Sequence, residues 1–207
     1  MSEKGIEKQF PRFYAQAGLS DEVVVKHIEK LSKYDIVTIG DIEVTRGCKK
    51  ADREMVKRIK SADPETIVLH HLNVMDRDQS PDLYEIRAKH PDWLLMDKKG
   101  NPCRAYNKVE KYGEGARWAF DPRSDWKKFY AQRAVEITEA GYDGIFADNT
   151  WKYYNWEGNY WELDMTNDEW ILAWAEFLGY VKAELGDKLL ICNGDPVKEY
   201  LENSDGD

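Results

Sequence analysis

The residues best suited to chemistry stand in one segment, Gly141-Tyr-Asp-Gly-Ile-Phe-Ala-Asp-Asn149. Gly141 ends a helix, Asp143-Gly144 makes a tight entry, and Ile145, Phe146 and Ala147 are the apolar stretch of a buried strand. Asp148 leaves the far end of that strand, where a carboxylate can serve as nucleophile or as acid/base, the plain alternative being a cap on the segment that follows. Residues 151–161 then hold six aromatics in eleven positions: Trp151, Tyr153, Tyr154, Trp156, Tyr160 and Trp161. A sugar ring offers apolar C–H faces edged by hydroxyls, so an aromatic floor beside carboxylates and amides suits a carbohydrate subsite. Trp151, Tyr153 and Trp156 are the rings expected to form it, and six rings exceed what packing one short loop requires.

Hydrolysis of a glycosidic bond needs two carboxyl groups flanking it, about 5–5.5 Å apart for retention and about 6.5–9.5 Å for inversion. Asp148 supplies one, and Asp195 is the best visible partner, with Asp41 and Glu43 as alternatives. Asn73, Asn149 and Asn193, together with Asp41 and Glu43, are the polar groups expected to hold the substrate. No metal site and no cofactor is expected. His70 and His71 are adjacent on a strand and point to opposite faces, one in the core and one not, and neither HExxH nor a Cys/His pair at ligand spacing occurs. Asp76-Arg-Asp78 has too few oxygen ligands for a calcium loop. Without GxGxxG, GxxxxGK[ST] or GxSxG, nucleotide cofactors and a serine nucleophile have no support.

These groups must be held by something regular, and the chain supplies it by alternation. A short strand at 12–16 is followed by Ser20 as an N-cap and by Val24, Ile28 and Leu31 at helical spacing. The apolar run 35–40 is a second strand, and Met55, Val56 and Ile59 mark the helix 52–61. A third strand covers 66–71, and Pro81 opens a helix reaching toward His90. An insertion at about 91–120, a hairpin by its turn chemistry at Lys98-Lys99-Gly100-Asn101-Pro102, interrupts the rhythm. Asp121-Pro122 then reads as N-cap and first helical residue for Trp126, Tyr130, Ala134 and Ile137. After the strand 143–148, the capping box Thr166-Asn-Asp-Glu169 opens a helix carrying Ile171, Trp174, Leu178, Val181 and Leu185 on one side, and Gly186 ends it before a fifth strand at 188–193. Strands alternating with helices make a parallel α/β sheet, whose chemistry collects at the carboxyl ends of the strands. Those ends read Gln16, Asp41 with Glu43, Asn73 with Asp76, Asp148 with Asn149, and Asn193 with Asp195.

The composition narrows the partners. The 207 residues carry 30 Lys and Arg against 39 Asp and Glu, a formal charge of −9 with no basic run, which argues against nucleic acid. No apolar stretch approaches the roughly 20 residues of a membrane span, and MSEKGIEKQF lacks the apolar core of a secretory signal. Three cysteines, Cys48, Cys103 and Cys192, without CxxC spacing fit a reducing compartment, so the expectation is a cytoplasmic protein, or a secreted one if a signal has been removed.

The succession HPDWLLMDKKGNP, WAFDPRSDW and GYDGIFADN resembles the hypothetical glycosyl hydrolase TIM barrels, akin to α-galactosidase-like and endo-polygalactosaminidase-like barrels, and the resemblance runs from the first strand through the fifth. In such barrels the aspartate closing the fourth strand is a catalytic or sugar-binding carboxylate, a role the resemblance places on Asp148. It implies a TIM-barrel-like parallel sheet in one domain over 1–207, incomplete at about five βα units where a full barrel has eight in about 250 residues. The implied partner is a carbohydrate and the implied reaction is hydrolysis of an O-glycosidic bond in an oligo- or polysaccharide. The competing class is a non-catalytic carbohydrate-binding or assembly protein on a partial barrel. Open edges at strands one and five would leave backbone groups unpaired and favour a homo-oligomer.

Overall fold

A computed structural model describes residues 14–16, 27–28, 30–40, 50–75, 81–105, 117–154 and 161–206. Five strands, β1 (Tyr14–Gln16), β2 (Ile36–Ile39), β3 (Ile67–Asn73), β6 (Gly144–Thr150) and β7 (Leu189–Gly194), form one parallel sheet whose spatial order is the chain order. Between β3 and β6 the two-residue strands β4 (Arg104–Ala105) and β5 (Arg117–Trp118) make a small antiparallel pair. The helices are α1 (Lys50–Ala62), α2 (Pro81–Lys89), α3 (Trp126–Glu139), α4 (Asn167–Leu185) and α5 (Lys198–Leu201). Parallel strands cannot be joined by tight turns, so the crossover helices follow from the strand direction itself.

Alternation along the strands sorts the sheet into two faces. Val37, Val68, Leu72, Ile145, Ala147, Leu190 and Cys192 lie on the helix-covered face, buried in one cluster with Met55, Val56 and Ile59 of α1, Tyr130 and Ala134 of α3, and Trp174 and Leu178 of α4. The apolar helical spacing in the sequence becomes this contact layer. On the opposite face, register aligns three rows across β3, β6 and β7: Leu69, Gly144 and Leu189; then His71, Phe146 and Ile191; then Asn73, Asp148 and Asn193. Apolar character therefore gives way to three polar side chains at the carboxyl end.

Three expectations about this framework change. Asp121-Pro122 does not cap α3, which starts at Trp126. Asp121 instead turns its carboxylate on the Arg123 backbone N–H (2.9 Å) and guanidinium, while the Ser124 hydroxyl accepts the Trp126 N–H at 3.2 Å. The local side-chain turn competes with the helix and delays it. His70 and His71 are both buried, at 1% and 4% exposure, because the sheet is covered on both faces where they stand. The outer edge of β7 is not open along its length. Asp205 accepts the Leu190 N–H at 2.8 Å and returns its own N–H to the Leu190 carbonyl, and Gly206 accepts the Cys192 N–H while bridging Ile191 in parallel. Backbone groups at a sheet edge need partners, and the chain returns to supply them.

Candidate active site at the carboxyl ends of the parallel strands

Asp148 reaches its position through an irregularity in β6. Pairing with β7 shifts between Asp148 and Thr150, and Asn149 takes a left-handed conformation with φ 71°, which asparagine tolerates better than most residues. Gly194 makes the shifted register possible, since a Cβ there would stand 2.1 Å from the Thr150 carbonyl oxygen. Beyond the bulge the chain turns away, and Asp148 is left at the rim with its side chain 18% exposed.

Two neighbouring strands hold its carboxylate. From β3, His71 Nε2 lies 3.0 Å from Oδ2; from β7, Asn193 donates its Nδ2–H to Oδ1 at 2.7 Å. Burial by itself would raise the carboxyl, but the bonds from His71, Asn193 and the Asn149 backbone outweigh it and hold Asp148 below its ordinary value of 3.8. The arrangement offers an aimed, charged oxygen at neutral pH, suited to attack an electrophilic carbon or to stabilise positive charge, and unsuited to donating a proton.

The other expected residues divide. Asn73, in the same row as Asp148, is buried, and its Oδ1 accepts the Met75 N–H at 3.0 Å, so it shapes the turn after β3. Asn149 is buried and accepts from the Trp151 indole at 3.4 Å. Asn193 is exposed and bound to Asp148. Asp195 follows β7 and is engaged by Lys152, whose backbone N–H lies 3.1 Å and whose ammonium lies 3.6 Å from its two oxygens. Asp41, Glu43, Asp76, Trp156 and Tyr160 lie outside the described residues.

Among the described rings of the aromatic run, Trp161 and Tyr154 pack against the body of the domain. Trp161 is buried, donating to the Arg104 carbonyl at 2.9 Å, and Tyr154 packs edge-on against Trp170. Trp151 is half-buried, its carbonyl accepting from the Trp170 indole and the Tyr200 hydroxyl. Tyr153 is 51% exposed, with the Lys152 ammonium 5.0 Å from its ring centre. Aromatic type does not distinguish a ring that stacks on a ligand from one that anchors a loop.

Sequence reasoning did not pair His71 with Asp148. The available signal was strand parity: His71 and Asn73 share a face two residues apart. Among the described residues, no group of three or more His, Cys, Asp or Glu side chains is placed to hold a metal ion, and no helix is long and apolar enough to cross a membrane.

Residues 60–206 match the profile of hypothetical glycosyl hydrolase family 15. The chain belongs to that family. No curated protein matches the sequence. Among solved structures, this family 15 chain is similar to an α-galactosidase from Thermus thermophilus in complex with p-nitrophenyl α-D-galactopyranoside, with TM-score 0.66 and 17% identity over 95% of this chain and 40% of that one. It is also similar to a cycloisomaltooligosaccharide glucanotransferase from Paenibacillus sp. (TM-score 0.60, 14% identity, 89% of this chain and 30% of that one). An α-amylase from Geobacillus thermoleovorans gives TM-score 0.51 and 10% identity, covering 86% and 45%. At these identities the likeness is one of fold, the parallel α/β sheet of TIM-barrel glycoside hydrolases. The family 15 chain spans 40% of the length of the α-galactosidase, so it presents part of such a barrel.

Proposed function

We propose that this chain carries the nucleophile-bearing part of a glycoside hydrolase acting on O-glycosidic bonds of an oligo- or polysaccharide, with Asp148 as nucleophile. One observation carries the reading: a strand-end aspartate kept ionised by donors from both flanking strands. A general acid in such a reaction needs a raised pKa, so the depressed Asp148 takes the other role. An Asp148 oxygen attacks the anomeric carbon, the glycosidic C–O bond breaks, and the leaving oxygen takes a proton from the second carboxyl group. Water then cleaves the glycosyl ester, giving its proton to that same group.

Asp195 is the proposed second carboxyl group, with Asp41 and Glu43 as alternatives. Tyr153 and Trp151, with Trp156, are the proposed stacking rings, and Asn73, Asn149 and Asn193 the proposed polar contacts. The reading treats 1–207 as one barrel-like unit with 91–120 inserted between β3 and β6.

The test is reducing-end release from a panel of α- and β-linked oligosaccharides, with p-nitrophenyl α-D-galactopyranoside added, by wild type and Asp148→Asn. The expected result is wild-type turnover that falls about 10³-fold or more in the variant, with circular dichroism unchanged. Equal turnover in both removes Asp148 from the chemistry. A non-catalytic carbohydrate-binding protein is the second reading, favoured by the engagement of both Asp195 oxygens with Lys152. Sugar binding that survives Asp148→Asn, with no turnover at any pH, would establish it.

A further inference from the structure

We infer that His71 is a positioning residue that aims Asp148 and keeps it charged; this rests on the reading of Asp148 as nucleophile. Three geometric facts carry it. His71 stands in the row beneath Asp148, on the same face of the sheet, so its ring reaches along the strand direction to the carboxylate of the next row. Phe146 meets it edge-on at 5.7 Å between centroids, and its Nε2 lies 3.0 Å from Oδ2. Asn193 takes the other oxygen from the opposite side, so rotation of the carboxylate would break one bond or the other.

The side-chain type follows from the place. At 4% exposure a lysine would lose its hydration, and an asparagine is too short to span the two rows. An imidazole brings a rigid ring nitrogen within 3.0 Å of the carboxylate. His70, its neighbour, has different work on the other face: its ring packs edge-on against Tyr142 at 5.0 Å and fills the space where a Gly40 Cβ would stand. The tandem histidines are therefore not interchangeable. Among the described residues, Tyr130 is affected by the Asp148 charge, and its hydroxyl, pushed well above its ordinary value chiefly by burial, stays neutral.

The experiment follows the Asp148 carboxyl carbon by ¹³C NMR through an acid titration, in wild type, His71→Gln and His71→Leu, with Asp148→Asn to assign the signal. It needs no substrate, so its result stands whether or not glycosidase turnover is found. Expected is a protonation midpoint that rises to 3.8 or above in His71→Leu and stays near wild type in His71→Gln, whose amide keeps a donor at the same reach. A midpoint unmoved in His71→Leu overturns the inference. Should that variant not fold, the downfield proton resonance of His71 Nε2–H decides: it moves upfield in Asp148→Asn if the bond exists, and an unmoved line refutes it. With a substrate in hand, His71→Leu lowers kcat on the order of 10–100-fold with KM little changed, and the acid limb of its pH profile moves to higher pH.

Discussion

Asp148 sits where burial and hydrogen bonding oppose each other, and the balance has a consequence for stability as well as for chemistry. Its folded-state pKa lies below the ordinary 3.8, so the His71 and Asn193 bonds contribute fully above that value and are lost as the pH falls through the lower folded value. Wild type should therefore lose stability relative to Asp148→Asn below pH 3.8, while the difference between them stays flat above about pH 5. Urea midpoints of both proteins across that range measure it. A difference that stays constant down to pH 2 would show that Asp148 titrates alike in folded and unfolded chains. Comparison with the variant is needed because other carboxylates are also held low, among them Asp97 by Asn101 and Glu169 by Thr166.

Among the elements, the carboxyl ends of β6 and β7 set the shape of the site. The shifted register, the left-handed Asn149 and the close approach of Gly194 to Thr150 form one device that turns the chain outward while Asp148 and Asn193 remain opposite each other. Gly194→Ala should cost about 1–3 kcal/mol, as for other overpacked interiors, and should weaken the Asn193–Asp148 bond. Thermal unfolding of the variant reports the first effect, and a melting temperature equal to wild type would show that the strands part without cost. Thr166→Ala is a useful contrast. It removes the reciprocal cap of α4, in which the Glu169 N–H donates to the Thr166 hydroxyl at 3.2 Å, and should cost about 1 kcal/mol without touching the site.

At the scale of the molecule, the five parallel strands among the described residues leave two sheet edges to be managed. Among the described residues β1 pairs with β2 alone, whereas β7 is met by Asp205 and Gly206. Asp205 also pairs with Lys182 of α4 at 2.8 Å, so one carboxylate ties sheet edge to helix. Asp205→Ala should destabilise the fold by about 1–3 kcal/mol through the unpaired Leu190 N–H, and should promote self-association along β7. Sedimentation velocity at rising concentration tests the second part. A variant with the mass of one chain throughout would show that this edge is not an interface.

The sequence by itself determined the alternation of strands and helices, the apolar face of each helix, the capping box at Thr166 and the strand-end position of Asp148. Each of these is a local matter of spacing, propensity and punctuation within a few residues. Register across β3, β6 and β7 is not local, and it decided that His71 and Asn193 meet Asp148. Strand parity assigns a side chain to a face but leaves open which residue of the next strand lies beside it. Tertiary packing also decided that Trp161 and Tyr154 face inward, because an aromatic residue is equally at home in a core and on a binding surface. The delayed start of α3 and the covered edge of β7 have the same origin: a side chain or a returning segment satisfied backbone groups that spacing alone had assigned elsewhere.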